Sequence, residues 1–119
     1  QRFHRPGAWA FMDMLEAGNP PLSFSESKTQ LALWAVMAQP FHLGNDVRNT
    51  TAELLAVFNN AELVSAVQDP LGQMGARVSM SAGELDGQQV WARTLSDNSR
   101  LIVLLNADPT NPADVCVAL

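Results

Sequence analysis

Between Ser23 and Pro40 lies a segment that can only be a helix covered on several sides. Ser23 with Glu26 three residues on forms a capping box, hydroxyl and carboxylate each satisfying the other's backbone amide. From Lys28 to Ala38 the apolar residues Leu31, Leu33, Trp34, Val36 and Met37 leave almost no polar face, so this helix cannot lie on a surface. Gln39-Pro40 ends it, because proline disfavours helical geometry in the residue before it. The remaining chain must supply the layers that cover it. At 119 residues, 47% apolar and 16% charged, it has the material for a real core.

The segments on either side alternate in type. Pro6 to Leu22 reads as an irregular loop, punctuated by Pro6-Gly7, Gly18-Asn19 and Pro20-Pro21. Within it the apolar run Trp9 to Leu15, with one charge at Asp13, fits a short strand running into a loop. Pro40 to Asp46 reads as a short buried strand with a polar Asn45-Asp46 tip. A second helix follows, with Thr50 and Glu53 as its capping pair and Leu54, Leu55, Val57 and Phe58 as its apolar residues. Asn59-Asn60 closes it, Ala61 to Val67 is a further short helical or extended piece, and Gln68 to Gly72 stops that piece. Strand, helix, strand, helix is the order of a parallel α/β fold.

After Gly75 the texture changes. Arg77 to Ser81, Gln88 to Leu95 and Arg100 to Asn106 are strand-like, joined by turns at Asp86-Gly87 and Ser96 to Ser99. Val90, Ala92 and Thr94 alternate with Trp91, Arg93 and Leu95, the period of a half-buried antiparallel strand. Asp108 to Pro112 is another turn. The boundary between the α/β part and this all-β unit falls near residues 73 to 77. Asp114 to Leu119 reads as a strand stopped in mid-sheet, the mark of a truncated chain.

Seven basic residues against twelve acidic ones, a net charge of -5, argue against nucleic acid or an anionic membrane as partner. The longest apolar stretch, Leu31 to Ala38, is far below the roughly 18 residues that span a bilayer. Gln1 to Gly7 contain no apolar h-region, so no signal peptide is expected. Cys116 is alone, which excludes an intrachain disulfide and a thiolate metal site; a buried, inert thiol is the expectation.

Two long stretches match a known family. Pro6-Gly-Ala-Trp-Ala-Phe-Met-Asp-Met-Leu-Glu-Ala-Gly-Asn19 resembles Pro-Gly-Gly-Trp-Asn-Asp-Pro-Asp-Met-Leu-Glu-Val-Gly-Asn. Ala32-Leu-Trp-Ala-Val-Met-Ala-Gln-Pro-Phe-His-Leu-Gly-Asn-Asp-Val-Arg48 is similar to Ala-Leu-Trp-Ala-Ile-Met-Ala-Ala-Pro-Leu-Leu-Leu-Gly-Asn-Asp-Leu-Arg. Gln68-Asp-Pro-Leu-Gly72 and Val90-Trp-Ala-Arg93 follow in the right order. These motifs belong to the α-galactosidases and α-N-acetylgalactosaminidases, a family of retaining glycoside hydrolases.

The resemblance implies a TIM (β/α)8 barrel followed by an antiparallel β-sandwich. Residues 1–74 would be the carboxy-terminal part of the barrel, its last two strand-helix units, and residues 75–119 the first strands of the sandwich. Trp9 to Met14 would end the seventh strand, Ser25 to Ala38 form the seventh helix, Pro40 to Asn45 the eighth strand and Thr51 to Asn59 the eighth helix. Retaining glycosidases use two carboxyl groups about 5 Å apart. The family's nucleophile and acid/base lie at the ends of its fourth and sixth strands, so no catalytic residue is carried over. A complete barrel takes about 250 residues.

Asp13 and Met14 match the aspartate and methionine that line the family's galactose pocket and are the implied substrate-binding residues. Ala10, Phe11 and Met12 stand where the family has Asn-Asp-Pro, exchanging two polar groups and a loop-stiffening proline for bulk. Val67 replaces an asparagine. Asp46 is read as structural, bound to amides of the turn before a helix. His42 is read as a core or interface histidine, and Trp34 and Trp91 as core. Asn49-Thr50-Thr51 is an acceptor sequon, making Asn49 the candidate for N-glycosylation.

The reading is a piece of an α-galactosidase-like hydrolase acting on terminal α-linked galactose, inactive alone and needing another chain or segment for the rest of its barrel. The alternative is a non-catalytic remnant serving as a structural or interaction subunit. No cofactor and no metal are implied. The resemblance points to the secretory route: extracellular, vacuolar or lysosomal.

Overall fold

The computed structural model describes residues 4–80, 87–108 and 110–117. Helix α1 spans Phe24–Val36, and its start is the one the capping box dictates. Ser23 Oγ accepts from Glu26 N at 3.2 Å and Glu26 Oε2 accepts from Ser23 N at 2.7 Å. From Thr29 onward no residue of α1 is exposed. Ser27, Leu31 and Ala35 form the most buried stripe, at the four-residue spacing of one helix face.

The carboxy end of α1 is a Schellman motif. Ala38 takes the left-handed conformation (φ 55°), Ala38 N donates to Ala35 O, and Gln39 N donates to Trp34 O. The helix therefore stops at Val36, before the proline is reached.

The two expected barrel strands are reduced to a single parallel bridge, Leu15↔Leu43. Leu15 N donates to His42 O (2.7 Å) and Gly44 N to Leu15 O (2.8 Å). Trp9 to Leu15 is otherwise a loop, since Asp13 at φ 71° interrupts the extended run. Pro40 has no amide with which to lengthen the ladder on the other side. The parallel sense holds, and α1 is the connection between the paired segments.

A single 3-10 turn, Val47–Asn49, precedes helix α2 (Ala52–Phe58). The cap of α2 is Thr51, whose Oγ1 accepts from Leu54 N; it is not Thr50, whose hydroxyl is taken by Asn45 Nδ2 at 2.9 Å. Helix α3 (Ala61–Val67) is capped by Asn60. Leu15, Ala17, Leu31 and Leu54 make the core, with Trp34, Phe41, Val57, Phe58 and Leu63 against it.

Strands β1 (Ala76–Met80), β2 (Gln88–Thr94) and β3 (Arg100–Asn106) form an antiparallel sheet in that order, with a bulge between Arg77 and Ser79. The turn at Asn98 (φ 68°) joins β2 to β3. Ser81 and Asp86 lie outside the described residues. The expected final strand is absent from residues 114–117, which join no sheet, and Cys116 is exposed there, not buried.

The sheet docks on α1 at the helix end. Arg93 Nη1 donates to Ala35 O at 2.8 Å and Gly75 N to Val36 O at 2.8 Å. Only glycine fits position 75, because a Cβ there would lie 2.6 Å from the carbonyl oxygens of both Ala92 and Val36. A second tie is Asp69 Oδ2, which accepts from Ser96 N (2.9 Å) and Ser96 Oγ (2.6 Å). Among the described residues no helix is long and apolar enough to cross a membrane.

Candidate functional site

The loop from Trp9 to Asn19 carries both predicted pocket residues. Asp13 sits in the left-handed region, uncommon for a residue with a side chain. Its Oδ1 accepts from Met14 N at 2.8 Å, and among the described residues no hydrogen bond engages Oδ2. The carboxylate is exposed and Met14 is 49% exposed beside it. Leu15, immediately after, is fully buried and bridged to the 42–44 segment. The strained residue is thus anchored on its carboxy side by sheet-type bonding.

On the amino side three contacts hold the loop. His4 Nδ1 accepts from Ala10 N at 3.2 Å, and the His4 ring meets Trp9 edge to face at 5.1 Å. Burial holds the His4 pKa below its ordinary value, which keeps Nδ1 free to accept. Gln39, 1% exposed, accepts from Met12 N through Oε1 (3.0 Å) and donates through Nε2 to Met37 O (3.0 Å).

Trp9 and Phe11 remain 50% and 54% exposed. His42 is not a core residue: its ring is exposed and packs against Phe11 at 5.2 Å. An apolar hollow of about 700 Å³ opens nearby, lined among others by Trp9, Phe41, Leu43, Leu55 and Phe58.

Asp46 is bound as a turn carboxylate, accepting from Arg48 N, Nε and Nη2 and from Asn49 Nδ2. These bonds hold its pKa below the ordinary carboxylate value. Asn49 is exposed, and the Thr51 hydroxyl of its sequon is the α2 cap. No cluster of three or more potential metal ligands occurs among the described residues.

Gln39 and Arg93 are the residues that sequence reasoning passed over. A signal for Gln39 exists in its position, a lone polar side chain between the apolar second half of α1 and a proline. Arg93 reads as one member of an alternating strand, and nothing local marks its burial.

The family model described as "Alpha galactosidase A" matches residues 2–69. Alpha-galactosidase 3 of Arabidopsis thaliana is 42% identical over 101 residues, covering 85% of this chain and 23% of its own. The alpha-N-acetylgalactosaminidase of Rattus norvegicus is 37% identical over 101 residues, covering 85% and 24%. Among solved structures, an α-galactosidase from Saccharomyces cerevisiae with raffinose superposes with a TM-score of 0.77 at 27% identity, covering 86% and 24%. The chain spans about a quarter of the length of these relatives. With its helical region matched from end to end by the family model, the chain belongs to the α-galactosidase (melibiase) family.

Proposed function

We propose that this chain supplies one wall of the galactose pocket of a retaining α-galactosidase-type hydrolase. Asp13 accepts hydrogen bonds from sugar hydroxyls, and Met14 packs beside the ring. The single observation that carries this is the conformation of Asp13: strained, anchored on both sides, and with a free carboxylate oxygen facing solvent. Backbone strain that is held in place by its surroundings concentrates at binding sites. The likeness to a galactosidase solved with raffinose supports the substrate class. Residues 1–74 belong on this reading to the barrel and 75–119 to the sandwich. The two carboxyl groups that hydrolysis with retention needs, about 5 Å apart across the bond, come on this reading from barrel residues outside this sequence.

The test is an assay on a terminal α-galactoside, with and without the complementary part of the barrel. Turnover is expected only when both parts are present, and turnover by the purified chain alone overturns the proposal. Asp13→Ala is expected to weaken galactose binding by about 10- to 100-fold, the worth of a charged hydrogen bond.

The hollow lined by Trp9, Phe41 and Leu43 favours a second reading, in which this face binds another chain as a non-catalytic subunit. A monodisperse monomer on size-exclusion chromatography would count against it.

A further inference from the structure

We infer that Gln39 is a positioning residue for the sugar-facing loop, doing by hydrogen bonding what a proline does elsewhere in the family. The inference rests on the reading that Asp13 and Met14 face the sugar. In the family stretch given above, proline stands at the position of Met12 and alanine at that of Gln39. Proline fixes φ near -65° and has no N–H, so the residue before the aspartate is stiff and needs no partner. Methionine at that position frees φ and restores an amide that must be satisfied in a partly buried place.

Gln39 meets both needs. Its backbone is fixed at the end of α1, Gln39 N donating to Trp34 O at 2.9 Å. Its side-chain amide has only one productive orientation, since Met12 offers a donor and Met37 an acceptor. Oε1 takes Met12 N and Nε2 takes one of the helix-end carbonyls that α1 leaves unpaired. The side chain is buried, so water does not compete for these bonds. Asp13 follows directly, and the left-handed turn that aims its carboxylate starts from a pinned amide. An alanine at position 39 could not do this, and a proline at position 12 would leave Gln39 Oε1 without its donor. The two departures from the family stretch compensate for one another.

The experiment compares wild type, Gln39→Met and the double variant Gln39→Met/Met12→Pro. Methionine at position 39 keeps the volume and removes the acceptor. Two readouts are taken: amide hydrogen exchange at residues 12–14 in isotope-labelled chain, and galactose affinity of the chain joined by the complementary part of the barrel. Gln39→Met is expected to speed Met12 amide exchange by about tenfold and weaken galactose binding by about fivefold, with the double variant returning affinity to within about twofold of wild type. If Gln39→Met does not fold, recovery of folding in the double variant is the same rescue. Unchanged exchange across residues 12–14 in Gln39→Met, or a double variant no better than the single one, overturns the role. If wild type joined by the complementary part of the barrel takes up no galactose, the sugar reading fails separately, and the exchange rates still decide what Gln39 does.

Discussion

A guanidinium that is only 2% exposed carries a large desolvation cost. Arg93 is tolerated because one donor meets Ala35 O at the negative end of α1 and the Asp69 charge lies within electrostatic reach. Burial still presses its pKa below the ordinary arginine value. Its side chain is also the largest of the fully buried ones, so it fills space. Arg93→Ala is therefore expected to cost about 3 kcal/mol, as large-to-small core changes do. Arg93→Met, which keeps most of the volume, should cost about 1 kcal/mol. Urea midpoints measure both, and equal losses would mean that the hydrogen bond outweighs the packing. At this scale the sequence was partly legible. Ser23 and Glu26 declare their capping box because both partners sit within three residues. Thr50 and Thr51 look interchangeable, and the choice between them is made by Asn45, whose side chain occupies the Thr50 hydroxyl. The position of Gln39 marks it as unusual, but its task is not readable there because its loop partner is 27 residues away.

Elements were legible where periodicity is local. The apolar girdle of α1 predicted burial and the texture of β2 predicted antiparallel pairing, which the sheet follows, but burial along β2 falls on Gln89, Val90 and Arg93 and does not alternate. Trp9 to Leu15 was read as a strand because apolar content cannot reveal a left-handed residue inside a run. The tie between the α3–β1 connection and the β2–β3 turn is equally invisible in sequence, being made by Asp69 and Ser96. Burial raises the Asp69 pKa, but bonds from Ser96 and Leu71 and the Arg93 charge outweigh it and hold the carboxyl below its ordinary value. A carboxyl depressed by folding stabilises the native state above its unfolded pKa, and that contribution disappears as pH falls through the native one. Asp69→Asn should thus lower the melting temperature at pH 6, with the difference from wild type shrinking toward pH 3. A difference that stays constant over that range would rule out the ionised carboxylate as the source.

Over the whole molecule, helices lie before residue 75 and antiparallel strands after it, and the structure adds how the two meet. Gly75→Ala would drive a methyl group into two backbone carbonyls. The expected cost is about 2–3 kcal/mol, with sheet and helices melting in two steps where wild type melts in one. A single unshifted transition would show that the contact yields without loss. The carboxy end of α1 receives Arg93 and Gly75 from one side and, through Met37 O, the amide of Gln39 from the other. That terminus works as a common bearing for the sheet and the loop. On the proposed reading of Asp13, wear on the strand side would reach its loop as lost alignment, and a lesion far from the sugar would imitate a defect in recognition.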